Sequence, residues 1–125
     1  MTGERKLADF RWWTLGVLGL LSAEPDRQAE YLQASGVGAD EILLQFDDVL
    51  HVARARVGDR SLSHEEYILL QSINGHVDAV SAAPESIWTV AALEERVEWR
   101  ELRAAARAVK ASLERYWSQD SDMFS

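Results

Sequence analysis

The chain of 125 residues contains no cysteine. This absence excludes a disulfide framework, a thiolate nucleophile and a zinc site built from thiolates. It is also typical of proteins that stay in a reducing compartment, so we expect a cytoplasmic protein. No stretch of useful length alternates apolar and polar residues in the way that a half-buried strand does. The sequence therefore predicts a fold of the all-α class.

The chain has fewer basic than acidic residues: 13 lysines and arginines and 21 aspartates and glutamates give a formal net charge of −8. Nucleic-acid binding depends on cations that neutralise phosphates, and anionic membrane surfaces also attract cations. The charge therefore argues against nucleic acid and against a membrane as the target. An acidic protein associates faster with cationic partners, so we expect a basic protein partner.

The sequence also lacks two motifs that are typical of catalytic sites, the glycine-rich phosphate-binding loop and the nucleophile elbow. Asp47, Asp48 and His51 have spacings that let side chains meet on a helix, and one histidine with two carboxylates could bind a metal. Carboxylate-rich metal bundles, however, repeat a Glu-x-x-His motif on two helices, and this chain has one imperfect copy. We predict an exposed polar face there. The expected protein is not an enzyme, and it has no metal and no cofactor.

One continuous apolar run is present, from Phe10 to Leu21, and it reads FRWWTLGVLGLL. If the run is helical its apolar side chains point in every direction, which predicts a helix buried on all sides. The run is too short to span a bilayer, and Glu4 and Asp9 in the preceding basic region argue against a signal peptide. Gly16 and Gly19 each cost about 1 kcal/mol in a helix relative to alanine. We expect a neighbouring helix to approach closely at these glycines.

The segments that follow show the period and the end signals of amphipathic helices. Pro25 suits a first turn, Gly36 a C-terminal cap and Thr89 an N-terminal cap, and Ser63 with Glu66 forms a capping box. The predicted helices span about residues 4–22, 25–35, 39–57, 63–81, 90–96 and 97–117. Residues 1–117 are thus expected to form a single domain, a bundle of five to six helices around the apolar N-terminal helix. Residues 118–125 form a polar tail that we expect to fray.

Two of these helices carry clear apolar stripes, which predict the faces that they turn to the core. The stripe of the 39–57 helix consists of Ile42, Phe46, Val49, Leu50, Ala53 and Val57. The stripe of the 97–117 helix consists of Trp99, Leu102, Ala106, Val109, Leu113 and Trp117. Leu44 and Ile68 lie off the core faces of their helices, which makes both of them candidates for contact with a partner.

Charge is unevenly distributed, because residues 61–95 hold six acids and neither lysine nor arginine. This block is either ordinary surface or a docking patch for a basic partner. Trp88 lies among these acids between two helices, and tryptophan is enriched at interface hot spots. The candidate partner-binding residues are Leu44, Asp47, Asp48, Glu65, Glu66, Asp78, Glu85 and Trp88. A basic stripe on the last helix, from Arg96 to Lys110, is expected to be solvated or paired with acids of neighbouring helices.

The run from Ala39 to Leu113 resembles small acidic helical proteins of actinobacteria. The resemblance rests on AlaAspGluIle entering a helix with Phe46-Asp47-Asp48, on LeuSerHisGluGluTyr at a cap, and on IleTrpThr leading to GluTrpArgGluLeuArg. Some proteins of this kind resemble immunity proteins encoded beside secreted polymorphic toxins. The resemblance implies a bacterial inhibitor of a toxin and implies no catalytic residues.

Two functions remain open at this point. The first is an acidic immunity or antitoxin-like inhibitor that covers the active cleft of a basic toxin or enzyme. Its acids would set association rate and partner choice, and buried apolar contacts would slow its release. The second is a self-associating regulatory or structural protein, in which the apolar N-terminal helix lies in a homodimer interface.

Overall fold

The computed structural model describes residues 2–122 of the chain, and side chains within residues 6–119. These residues form seven α-helices and one short 3-10 helix, and no strand occurs among them, so the predicted all-α class is confirmed. The helices are α1 (Thr2–Ser22), α2 (Pro25–Ser35), α3 (Asp40–Gly58), α4 (His64–Gln71), α5 (Asn74–Ala82), the 3-10 helix (Glu85–Trp88), α6 (Val90–Glu95) and α7 (Val97–Asp122).

The predicted end signals operate at several of these helices. Pro25 begins α2, and Gly36 ends it in the left-handed region at φ 67°, where its N–H donates to the Leu32 carbonyl over 2.9 Å. Ser63 and Glu66 form the complete capping box of α4. The Thr89 hydroxyl accepts a hydrogen bond from the Ala92 N–H at the start of α6. Local sequence therefore fixes where these helices begin and end.

The single helix expected over residues 63–81 is two helices, which corrects the prediction. A turn at Ser72 and Ile73 separates α4 from α5, and the Ile73 N–H bonds to the Leu70 carbonyl, three residues back, in a tighter turn. The Ser72 hydroxyl donates to the Leu69 carbonyl over 2.6 Å. Serine bonding back to the preceding turn bends helices, which gives a local cause for the break.

The last helix also differs from its expected length. α7 continues past Trp117 to Asp122, so residues 118–122 of the predicted tail are helical. The remainder of that tail, residues 123–125, lies outside the described residues. The predicted core stripe of α7 is confirmed, because all six of its members are buried.

The helices pack around one hydrophobic core. α1 lies along α7, which is its most extensive neighbour, and along α3. α4 packs against the same two helices, so α1 and α4 occupy opposite corners of a four-helix arrangement. α5 and α6 contact α7, and α2 contacts α6. Leu18 and Leu21 of α1, Phe46 of α3 and Trp99 of α7 are fully buried at the centre.

α1 is not buried on all sides, and this is the main departure from the sequence prediction. Phe10, Val17, Leu18 and Leu21 face the core, whereas Trp12 on the opposite side is 82% exposed. The reason is that, in the described part of the chain, α1 has extensive contacts with only two helices, α3 and α7. The side of α1 that carries Trp12 and Gly16 therefore faces solvent.

Candidate protein-binding surface

The solvent side of α1 is an apolar strip, which we call the outer face of α1: Ala8, Trp12 and Gly16 are exposed, and Leu15 is half-buried. Trp12 is the most exposed large apolar side chain among the described residues. A β-carbon added at Gly16 would meet no atom within 4 Å, so no neighbouring helix accounts for this glycine. At Gly19 the nearest atom is Lys110 Cε at 3.8 Å, which is ordinary van der Waals contact. The close helix approach that we expected at both glycines is therefore wrong.

A groove lies on each side of Trp12. The groove towards α3, which we call the α1–α3 groove, has a volume of about 450 Å³ and is lined by Trp12, Trp13, Leu15, Gly16, Val17 and Gln45. The groove towards α7 has a volume of about 440 Å³, and its lining includes Ala8, Trp12, Leu15, Glu114, Trp117 and Ser118. Both grooves are shallow and open to solvent. Trp12 therefore stands as a ridge between two apolar depressions.

The α3 side of the α1–α3 groove carries negative charge. Glu41, Leu44, Gln45 and Asp48 have the spacing of one helical stripe, and we call them the α3 edge. Gln45 lines the groove, and its side-chain amide donates to the Tyr31 hydroxyl over 2.7 Å. Leu44 is 51% exposed and Asp48 is exposed. Among the described residues neither Glu41 nor Asp48 forms an ion pair, so this edge presents two unneutralised carboxylates.

The α7 side is different, because its charges are largely neutralised within the molecule. Lys110 pairs with Glu114 at 3.3 Å, and Arg107 pairs with Glu24 at 3.1 Å. Arg103 is buried, where it donates to the Leu93 carbonyl over 2.6 Å, and burial lowers the pKa of its guanidinium. In the basic stripe, Arg96, Arg107 and Lys110 pair with acids and Arg103 is buried, whereas Arg100 is exposed and forms no ion pair among the described residues. The α3 edge therefore presents negative charge without an ion pair beside the α1–α3 groove.

The predicted site residues on α3 are exposed, and none of them is among the residues that line the α1–α3 groove. Leu44 and Asp48 belong to the α3 edge. Asp47 is also exposed. It follows Gln45 by two residues, and side chains at that spacing point to different faces of a helix, so Asp47 points away from the groove. His51 is also exposed. No group of three or more metal-ligating side chains occurs in the part of the chain that the structure describes.

Glu65 and Glu66 have opposite environments, although they are adjacent in the sequence. Glu65 is exposed and accepts one long hydrogen bond, from the Tyr116 hydroxyl at 3.3 Å. Glu66 is only 5% exposed, and its carboxylate accepts from the Ser63 hydroxyl at 2.9 Å and from the Trp117 indole N–H at 2.5 Å. Glu66 therefore has a structural role and cannot present charge to a partner. The prediction that Glu66 belongs to the partner-binding residues is therefore corrected, because its side chain is buried.

The other predicted residues do not lie together on one element. Asp78 is an exposed residue of α5, and Glu85 is an exposed residue of the 3-10 helix. Trp88 is half-buried and packs edge to face on Trp99, with ring centroids 6.2 Å apart. The indole N–H of Trp99 donates to the Ile87 carbonyl over 2.8 Å, which anchors this corner of the core. Trp88 is thus largely committed to packing within the molecule.

Sequence reasoning missed Trp12 and Gly16 as surface residues. Both were placed in a helix expected to be covered on every side, so neither entered the predicted set. Their spacing of four residues puts them on one face of α1, which is a signal that the sequence contained. What it could not supply was the number of neighbours that α1 has.

No protein-family profile, curated protein or solved structure matches this chain. None of the helices in the described part of the chain is both long enough and apolar enough to cross a membrane. The case for function therefore rests on the surface itself, whose centre is an exposed tryptophan and whose rim is acidic.

Proposed function

We propose that this protein is a non-enzymatic protein-binding module that takes a basic protein partner on the outer face of α1. The single observation that carries the proposal is Trp12, which is 82% exposed between two apolar grooves. Tryptophan is the residue type most enriched among interface hot spots. An indole held in solvent contributes no burial free energy to the folded monomer, whereas covering it in an interface would stabilise the complex.

The size of that gain is large enough to anchor a complex. A tryptophan buries roughly 150–250 Å² when it is fully covered, at about 25 cal/mol per Å². With most of the side chain now in solvent, covering Trp12 would contribute about 4 kcal/mol before the cost of association. The net charge of −8 and the free carboxylates of the α3 edge favour a basic partner over a neutral or acidic one.

In its finer form the proposal is an immunity or antitoxin-like inhibitor of a basic toxin or enzyme in the bacterial cytoplasm. This form is supported by the acidity of the chain and by the resemblance of residues 39–113 to small acidic proteins of that kind. The apolar centre would slow dissociation, and the acidic rim would accelerate association.

Self-association is the second candidate, and the exposure of the outer face of α1 also favours it. Two copies joined through this face would bury both Trp12 side chains in a symmetric contact. The net charge of −8 on each copy opposes such a dimer, which is why the basic partner ranks first.

A paired capture experiment tests the proposal. Tagged wild-type protein and its Trp12→Ala variant are incubated with source lysate at low salt and then washed at high salt. We expect the wild type to retain a basic protein that salt releases, and the variant to retain little of it. Val90→Ala, which removes a 60% exposed side chain on α6, is the matched control and should bind as the wild type does. Equal capture by wild type and Trp12→Ala would refute the proposal.

A further inference from the structure

We infer that the α1–α3 groove accepts a single α-helix of the partner, aligned along α3, with basic residues on the edge that meets Glu41 and Asp48. This inference rests on the proposed function and names the element that the partner supplies. It follows from the apolar lining of the groove, from the open space at Gly16 and from the unpaired carboxylates of the α3 edge beside it.

The α1–α3 groove is mainly apolar and open to solvent along one side. Trp12 and Leu15 of α1 line one side of the groove, Gln45 of α3 lines the other, and Gly16 also lines it, with no atom within 4 Å of the place that a β-carbon would take. Glycine at an exposed helix interior costs about 1 kcal/mol relative to alanine, and nothing within the molecule compensates here. A side chain at this position would fill the space where a second backbone could approach. Helices that dock in grooves use such spaces and present apolar residues at helical spacing.

Charge decides which side of the partner helix is basic. Glu41 and Asp48 are seven residues apart, so they lie about 10.5 Å apart along α3. A partner helix running beside α3 would present lysine or arginine at two positions with the same seven-residue spacing. The groove towards α7 offers no such demand, because Glu114 pairs with Lys110 and the other charged residue that lines it, Arg11, is itself a cation. The occupant is therefore a helix with an apolar face and one basic edge, a description that an acidic second copy of this chain does not meet.

Two synthetic helical peptides test the inference directly. Both carry the same leucine and alanine face; one has lysines at two edge positions seven residues apart, and the other has glutamates there. Fluorescence anisotropy of the labelled peptides measures their affinity for the full chain at low salt. We expect the lysine peptide to bind and the glutamate peptide to bind at least about tenfold more weakly, the factor that corresponds to about 1.4 kcal/mol.

Variants of the full chain then locate the site. Trp12→Ala should weaken the lysine peptide about thirtyfold, as expected when a hot-spot side chain is removed. Gly16→Gln should also weaken it, because the new side chain fills the groove, whereas Gly16→Ala adds one methyl group and serves as its control. Replacing Glu41 and Asp48 by their amides should cost about fivefold and reduce the salt dependence. Val90→Ala should bind as the wild type does.

Several outcomes would overturn the inference. These are failure of the lysine peptide to bind, equal binding of both peptides, and an affinity that Gly16→Gln leaves unchanged. A wild type that sediments as a dimer, together with a Trp12→Ala variant that sediments as a monomer, would assign the groove to a second copy instead. The proposed function stands or falls separately, on whether capture of a basic protein depends on Trp12. Capture that depends on Trp12 together with unbound peptides would reject the single helix and keep the protein-binding module.

Discussion

Replacing Glu66 by alanine tests whether its buried carboxylate stabilises the fold, in contrast to the exposed carboxylate of Glu65 beside it. The change removes the acceptor of the Ser63 N–H and hydroxyl in the capping box, which costs about 1 kcal/mol. It also leaves the buried indole N–H of Trp117 without its partner, which costs about 2 kcal/mol. We therefore expect the free energy of unfolding to fall by about 3 kcal/mol.

Urea unfolding followed by circular dichroism measures this loss. With a denaturant slope of about 2 kcal/mol per M, the midpoint should fall by about 1.5 M. Glu65→Ala is the matched control, since that residue is exposed and accepts one bond of 3.3 Å, and its stability should stay within about 0.5 kcal/mol of the wild type. Glu66→Gln keeps one acceptor oxygen but places an amide NH2, which only donates, in the position of the other, so it can satisfy either Ser63 or Trp117 and should recover only part of the loss. Equal midpoints for Glu65→Ala and Glu66→Ala would refute the reasoning.

Three further changes test other parts of the fold. Thr14→Val should raise the free energy of unfolding by about 1 kcal/mol in thermal melts, because the buried Thr14 hydroxyl has no hydrogen-bond partner among the described residues; a loss would contradict this. Gln28→Leu should lower it by about 3 kcal/mol in urea, because the buried Gln28 amide donates to the Leu20 and Leu21 carbonyls at the end of α1; an unchanged midpoint would show that these carbonyls need no such partner. The Arg96 guanidinium bonds to the Glu98 carboxylate and lowers its pKa. The ion pair therefore stabilises the fold fully at pH values above the ordinary glutamate pKa of about 4.3. This stabilisation is lost as the pH falls through the lowered pKa of Glu98. Glu98→Gln should flatten this part of the stability profile between neutral and acidic pH, and an identical profile would contradict the assignment.

Much of the fold was predictable because its determinants are local. The core faces of α3 and α7 follow from helical spacing, the start and end of α2 follow from Pro25 and Gly36, and the starts of α4 and α6 follow from Ser63 and Thr89. Each of these signals acts over one or two turns of chain. Sequence reasoning is reliable at that range, since the interacting groups lie within a few residues of one another.

The candidate site was less predictable because its determinants are distant in sequence. Glu66 is buried by Trp117, which is 51 residues away, so its environment is not visible in the local pattern that it shares with Glu65. Trp12 is exposed because α1 has extensive contacts with only two helices in the described part of the chain. The number of helices that pack against α1 cannot be predicted from an apolar sequence alone. The acidic residues of the predicted set were likewise chosen by chain position, whereas a binding surface is defined by which elements pack side by side.

The contact between α1 and α7 has a consequence for the synthesis of the chain. Among the described helices α1 is synthesised before the others, and α7, which packs along it, is completed only at Asp122, 100 residues after Ser22. At ordinary elongation rates of about 5–20 residues per second, that interval lasts roughly 5–20 s. During this time an apolar helix with two neighbouring tryptophans is available to chaperones and to other nascent chains. The yield of folded protein in a cell should therefore respond to holdase chaperones more strongly than the modest size of the chain suggests.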